Sequence, residues 1–189
     1  RRLSEHLACL SLVMAAFFIP LALLAPHLYD WMDPAKADHA LHAKHAYLNK
    51  PFFYVRAAVF LGVWVFLSWR LRYWSLRQDE SGAADCTFKM RRLAAAGVFL
   101  FAITLTLAAI DWMKSLQWQW FSTMYGVWFF ANCVRGALSI GVLIMLWLWG
   151  RGDYKGILNN NHWHSIGQLM LAFTVFWAYI GFSQYMLIW

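Results

Sequence analysis

The sequence predicts an all-α, polytopic membrane protein with about five transmembrane helices. Apolar residues make up 62% of the 189 residues and charged residues only 13%, whereas soluble domains are about half apolar and about a quarter charged. Five apolar runs approach or exceed the roughly 20 residues that a membrane-spanning helix needs. They show neither the period of two nor the turn signals of a β-barrel. The composition also excludes disordered and disulfide-rich proteins.

Five segments have the length and composition of a transmembrane helix. The first covers residues 4–26 and the second 52–69. The third covers 93–112, the fourth 122–149 and the fifth 165–189. The fourth is about 42 Å long at the helical rise, so we expect it to tilt or to project beyond the hydrocarbon layer. No repeat and no linker divides the chain, which predicts a single domain over 1–189.

Lysine and arginine are distributed unevenly between the two sides of the predicted spans. The N-terminus and the loops 70–92 and 150–164 carry ten of them, and the opposite side carries four. Because cytoplasmic loops are enriched in these residues, we place the N-terminus and the 70–92 loop in the cytoplasm and the C-terminus outside. Orientation thus explains the net charge of +7 without a nucleic-acid partner. We expect the 70–92 loop to be the most mobile segment.

Two charged side chains near the outer ends of neighbouring spans are expected to pair. Arg56 follows Pro51 at the start of span two, and Asp111 closes span three. Both should lie within roughly 10 Å of the outer interface, and an ionisable group in a bilayer needs a partner. The pair either fixes the packing of the two spans or belongs to a proton or quinol path. Simple snorkelling to water is the third interpretation.

Arg135 lies near the middle of span four and has no acid at its own depth, since Asp111 is predicted well above it. A buried unpaired cation costs several kcal/mol. We therefore expect Arg135 to meet carbonyls, a water cavity or an acid on another polypeptide, which favours membership of a larger assembly. Snorkelling helped by local water is the alternative.

Other polar side chains form a stripe on span four and a looser face on span five. They either line a path for water or a quinone carbonyl, or serve as hydrogen bonds between helices. Trp64, Trp128 and Trp177 lie deeper than the remaining tryptophans and are expected to pack between helices. The members of the two faces are Tyr125, Asn132, Gly136, Ser139, Gln168, Ala172, Tyr179 and Ser183.

The histidines and cysteines do not favour a metal or haem site. No two histidines share a depth in mid-membrane, where a haem between helices would need them. His39, His42 and His45 follow one helical face and could bind zinc or copper, but the charged neighbours favour a solvated helix. His162 and His164 lie at the cytoplasmic entry of span five, where a neutral histidine can take up protons. The three cysteines lack a metal-binding spacing.

Three stretches of the sequence resemble one protein family. They are Leu48–Ala57, then Asp111–Leu116 with Trp120–Val127, and finally Phe173–Trp189. These stretches are similar to the quinone-binding membrane protein of bacterial alternative complex III, a quinol:cytochrome c oxidoreductase. Members of this family fold like the membrane component of polysulfide reductase. The resemblance implies that this chain is the C-terminal half of such a protein or a shortened relative, with one four-helix bundle plus one helix.

The resemblance implies a place in the bacterial inner membrane among other membrane subunits, a multihaem cytochrome and an iron–sulfur subunit. We expect no metal and no covalently bound cofactor in this chain, with quinone and lipids as candidate ligands. The family tends to have ionisable residues at the positions of Gln117, Gln119, Ser165 and Gln168. The candidates for a proton path or quinone pocket are Asp111, Arg56, Tyr125, Asn132, Arg135, Tyr179, Ser183, Gln184 and His164.

The sequence and the resemblance together predict an accessory, integral-membrane subunit of a quinol-oxidising respiratory complex. The alternative is a scaffold subunit of another complex that has lost this chemistry. A small transporter would need an inverted repeat or broken helices, and neither is visible in the sequence.

Overall fold

The computed structural model describes residues 2–33, 41, 44, 46–82, 84–152 and 158–188, and every long element within them is an α-helix. Five helical segments are long and apolar enough to cross a membrane, which confirms the predicted all-α, polytopic membrane class. The first span consists of two helices that meet at Cys9. The helices are α1 (Arg2–Ala8), α2 (Leu10–Leu28), α3 (Lys50–Ser81), α4 (Ala84–Trp112), α5 (Tyr125–Arg151) and α6 (Asn160–Ile188), with short 3₁₀ turns at Asp30–Met32 and Lys114–Gln117.

The predicted loop over 70–92 is wrong, because α3 continues to Ser81 and α4 begins at Ala84. Apolar composition marks only the part of a helix that lies in hydrocarbon, whereas its hydrogen bonds continue into water, where arginine, lysine and glutamate are good helix formers. Gly82 ends α3 in the left-handed conformation, with φ of 63°, which glycine adopts without steric cost. α6 likewise begins at Asn160, before the predicted start at residue 165, whereas α5 begins at Tyr125, three residues after the predicted start at residue 122.

The chain divides into two compact units, residues 1–121 and 122–189. A single domain and a four-helix bundle with one further helix therefore stay predictions. In the first unit, α3 lies antiparallel to both α2 and α4. The Trp64 indole donates to the Thr104 hydroxyl at 2.9 Å between α3 and α4, and the Ser11 and Ser68 hydroxyls meet at 2.7 Å between α2 and α3.

The second unit is an antiparallel pair of helices, α5 and α6. Trp128 of α5 stacks on Trp177 of α6 with ring centroids 6.3 Å apart. Gly181 lies against Trp128, where a Cβ would be in ordinary van der Waals contact, 3.4 Å from the indole nitrogen. The expected packing of Trp64, Trp128 and Trp177 between helices is confirmed by these contacts.

Candidate functional site

A buried ion pair joins α3 to α4 near one end of the first unit. Arg56 Nε donates to Asp111 Oδ2 at 2.6 Å, and Arg56 Nη2 donates to Asp111 Oδ1 at 3.2 Å. Asp111 is fully buried and Arg56 is 7% exposed. The expected pairing is thus confirmed, with the two-pronged geometry in which a guanidinium matches a carboxylate.

The start of α3 places Arg56 in this position. The Asn49 side chain accepts a hydrogen bond from the Phe52 amide at 2.9 Å and so caps the helix. Pro51 occupies the first turn, where the amide hydrogens have no hydrogen-bond partner within the helix, so proline loses nothing by lacking one. Arg56 then falls in the second turn, level with Asp111 at the end of the antiparallel helix α4.

Aromatic rings and backbone carbonyls complete a cage around the pair. The Arg56 guanidinium carbon lies 3.9 Å from the Tyr47 ring centroid and 4.2 Å from that of Phe52. Arg56 Nη1 also donates to the Tyr47 carbonyl at 2.9 Å. Ser115 donates to the Asp111 carbonyl, and the Tyr29 hydroxyl donates to the Trp112 carbonyl at 3.0 Å. The Arg56 guanidinium is thus held by hydrogen bonds to oxygen atoms and by aromatic rings packed against it.

Tyr47 and Tyr29 add two hydroxyl groups beside the carboxylate. Burial, followed by the negative charge of Asp111, raises the pKa of Tyr29 to about 12. The same two causes, in the same order, raise the pKa of Tyr47 above its ordinary value. Both phenols therefore stay protonated through the physiological range and can donate or relay a proton without carrying a charge.

A small cavity lies next to the ion pair. It has a volume of about 130 Å³, and the side chains lining it include Lys44, Tyr47, Lys114 and Ser115. At roughly 30 Å³ for each water it has room for about four waters. Ligand pockets are usually about 300–1,000 Å³, so this cavity is smaller than the usual pocket of a ligand such as a quinone. A wider depression of about 500 Å³ is lined only by the consecutive residues 116–120, too few walls to enclose such a ligand.

The Tyr29 pKa predicts how stability depends on pH. The unfolded chain ionises this phenol near pH 10 and the folded chain only near pH 12. Its stabilising contribution is therefore complete below pH 10 and is lost as the pH rises towards 12, by on the order of 2 kcal/mol.

Denaturant unfolding of the wild type and of Tyr29→Phe, below pH 10 and near pH 12, measures this contribution. We expect Tyr29→Phe to lose about 1 kcal/mol at the lower pH, since the bond to Trp112 is gone. The variant should then lose less than the wild type as the pH rises. Parallel losses in the two proteins would contradict the assignment.

In the second unit, Arg135 meets an amide and an aromatic ring. Its Nη2 donates to Asn132 Oδ1 at 3.1 Å within α5. Its guanidinium carbon lies 4.2 Å from the ring centroid of Trp177 on α6. The described residues of this unit include no carboxylate, because its one acid, Asp153, lies outside them. Arg135 is half-buried, and none of the described residues of its unit neutralises its charge.

The other candidates of the second unit are dispersed over the two helices. Ser139 and Ser183 donate to carbonyls of their own helices, at 3.0 and 2.9 Å, and so do not join α5 to α6. Tyr179 is 65% exposed, and His164 is also exposed. Tyr125 of α5 stacks on Phe129, with ring centroids 6.5 Å apart. Gln184 Nε2 and Trp177 Nε1 are buried nitrogen atoms that donate no hydrogen bond to the described part of the chain.

The cage residues Tyr29, Tyr47, Phe52 and Ser115 were not predicted as site residues. Tyr29 and Tyr47 stand outside the apolar runs, and only the folding of the segment before α3 brings Tyr47 onto Arg56. Within the described residues, no group of three metal-binding side chains occurs. The candidate metal set His39, His42 and His45 lies outside the residues that the structure describes.

No protein-family model matches the chain, and no curated protein matches it either.

Proposed function

We propose that the chain is an integral-membrane subunit of a quinol-oxidising respiratory complex, and that Asp111 lies on a proton path through it. The proposal rests on one observation: two of the stretches that resemble the family meet in the structure. Leu48–Ala57 supplies Arg56, and Asp111–Leu116 supplies its carboxylate partner, in the buried ionic site of the first unit. Two of the stretches that resemble the membrane protein of alternative complex III therefore build this buried ion pair.

The surroundings of Asp111 favour proton transfer over quinone binding. The carboxylate is fully buried, so a proton must reach it through the protein. Tyr47 lies beside it and also lines the cavity that has room for waters. A path from the cavity through Tyr47 to Asp111 needs only side chains and water. The quinol-oxidising centre then belongs to a partner subunit, and this chain carries no redox group.

Arg135 supports the proposed membership of a complex. It is half-buried on a membrane-spanning helix, and its unit offers it an amide and a ring but no carboxylate among the described residues. An acidic side chain on another membrane subunit would neutralise it. The partners that we propose are further membrane subunits, a multihaem cytochrome and an iron–sulfur subunit.

Basic residues of α3 and α4 on either side of the connection between these helices support one orientation in the bacterial inner membrane, with the connection in the cytoplasm. Arg70, Arg77 and Lys89 lie 5.5, 5.6 and 4.7 Å from the ring centroid of Trp74. A tryptophan surrounded by cations is typical of the cytoplasmic interface of a membrane protein. We therefore place this connection and the N-terminus in the cytoplasm, and the C-terminus outside.

A scaffold role is the second candidate, and the completeness of the cage favours it. The guanidinium has two bonds to Asp111, one to the Tyr47 carbonyl, and two aromatic faces against it. A group so fully held is also what a purely structural junction between α3 and α4 requires.

Quinol turnover by the assembled complex separates the two roles. The informative variants are Asp111→Asn, the charge-neutral pair Arg56→Gln with Asp111→Asn, and Tyr47→Phe, which keeps the ring against Arg56. The proposal predicts that the charge-neutral pair assembles yet turns over about a hundredfold more slowly, the lower end of what a positioned acid–base group contributes. Tyr47→Phe should also be slow.

Tyr54→Phe is the matched control, because Tyr54 also lies on α3 but its hydroxyl donates to the Ala22 carbonyl, away from the pair. It should turn over at the wild-type rate. Full turnover by an assembled charge-neutral pair would assign Asp111 to the scaffold role instead.

A further inference from the structure

We propose that a groove between the first span and α3 is a binding site for one anionic phospholipid, with its phosphate on Arg72. This site lies in the first unit, apart from the Arg56–Asp111 pair, and does not depend on the proposed respiratory function.

The groove has room for part of a lipid molecule, and its lining suits an acyl chain. Its volume is about 360 Å³, within the roughly 300–1,000 Å³ of ligand pockets. Cys9 and Leu12 form one wall, and Val65, Trp69, Arg72 and Tyr73 belong to the other. Ser68, which also lines the groove, joins the two helices through a hydrogen bond with the Ser11 hydroxyl at 2.7 Å. Most of the lining is apolar, as an acyl chain requires.

Polarity changes along the groove in the direction that a phospholipid requires. Val65 and Leu12 lie at the membrane-depth end, and Arg72 lies seven residues further along α3, which is about 10 Å at the helical rise. Trp69 lies between these two levels and is 60% exposed, and Tyr73 lies next to Arg72 and is 41% exposed. Aromatic side chains at this position are typical of the interface between hydrocarbon and headgroups. The arginine is therefore placed at headgroup level above an apolar channel.

Charge complementarity favours an anionic headgroup. Arg72 Nη1 lies 3.2 Å from His6 Nδ1, and no carboxylate of the described residues pairs with Arg72. The nearby Glu5 carboxylate accepts a hydrogen bond from the fully buried Ser75 instead. Most of the five N–H donors of Arg72 therefore remain for a phosphate, which an arginine can bind through two parallel bonds.

Native mass spectrometry of the full chain in detergent tests the site. Phosphatidylglycerol and phosphatidylcholine are added in equal amounts, and the bound lipid is identified. We expect one retained phosphatidylglycerol on the wild type, and binding weakened by about tenfold to a hundredfold in Arg72→Gln. Arg92→Gln is the matched control, because Arg92 is an exposed arginine on α4 that does not line the groove. Equal retention by Arg72→Gln and the wild type would overturn the proposal.

Cys9 provides a second test that needs no variant. In bilayer discs, phosphatidylglycerol should slow the alkylation of Cys9 by N-ethylmaleimide relative to phosphatidylcholine alone. Cys133, a half-buried thiol of the second unit, should react at the same rate in both. An unchanged Cys9 rate would overturn the proposal. So would equal protection by inorganic phosphate alone, which would show an anion site and not a lipid site.

Discussion

Asp111→Asn is expected to lower the free energy of unfolding by about 3–5 kcal/mol, the usual cost of breaking a buried ion pair by removing one partner. The asparagine keeps the size of the side chain but leaves the Arg56 guanidinium charged. Arg56 is 7% exposed, so water cannot replace the lost carboxylate. Unfolding in mixed micelles, followed by far-ultraviolet circular dichroism, measures the change.

The charge-neutral pair, Arg56→Gln with Asp111→Asn, is the internal test of that explanation. Because neither side chain is charged, most of the lost stability should return. Asp85→Asn is the matched control, since Asp85 is exposed in the first turn of the same helix, and it should change stability by no more than about 1 kcal/mol. A single variant as stable as the wild type would show that the pair contributes nothing to folding.

Arg135→Gln is expected to release partner subunits while the chain itself stays folded. If an acid on another polypeptide neutralises Arg135, its removal leaves that acid buried and unpaired. Truncating one member of such a pair costs about 2–5 kcal/mol, which corresponds to at least about thirtyfold in affinity. Quantitative mass spectrometry of the proteins that co-purify with the tagged chain measures the loss.

Two further variants interpret that result. Arg135→Lys keeps the positive charge and should retain more of the partners than Arg135→Gln. Arg151→Gln removes an exposed arginine from the end of the same helix, where it contacts Trp147, and should retain them all. Retention of every partner by Arg135→Gln would mean that the Asn132 and Trp177 contacts are all that this cation needs.

The long helices could be predicted from the sequence because one quantity decides them. Each span carries an apolar stretch long enough to cross the bilayer. A helix satisfies the backbone hydrogen bonds of such a stretch internally, which the bilayer core requires. The ends could not be predicted in the same way. Over 70–92 the side chains are polar, yet the backbone hydrogen bonds of α3 run on to Ser81. Composition reports the solvent around a helix, and not where its hydrogen bonds stop.

The ion pair could be predicted because depth alone left Arg56 and Asp111 as partners. The cage around it depends on tertiary structure. Tyr47 precedes α3 and reaches the guanidinium only after the chain turns at Asn49. For Arg135 the sequence pointed to an acid, carbonyls or water, whereas the contacts in its own unit are an amide and the face of Trp177. An aromatic ring carries no formal charge, so an inventory of charged residues does not reveal it.

The composition of the native assembly tests the central claim most directly. The chain is purified from its own membranes in mild detergent, and the accompanying proteins are identified by mass spectrometry together with a haem absorbance spectrum. We expect a multihaem cytochrome, an iron–sulfur subunit and further membrane subunits in fixed ratio to the chain. Partners without any cytochrome, or a monodisperse chain alone, would contradict membership of a quinol-oxidising complex.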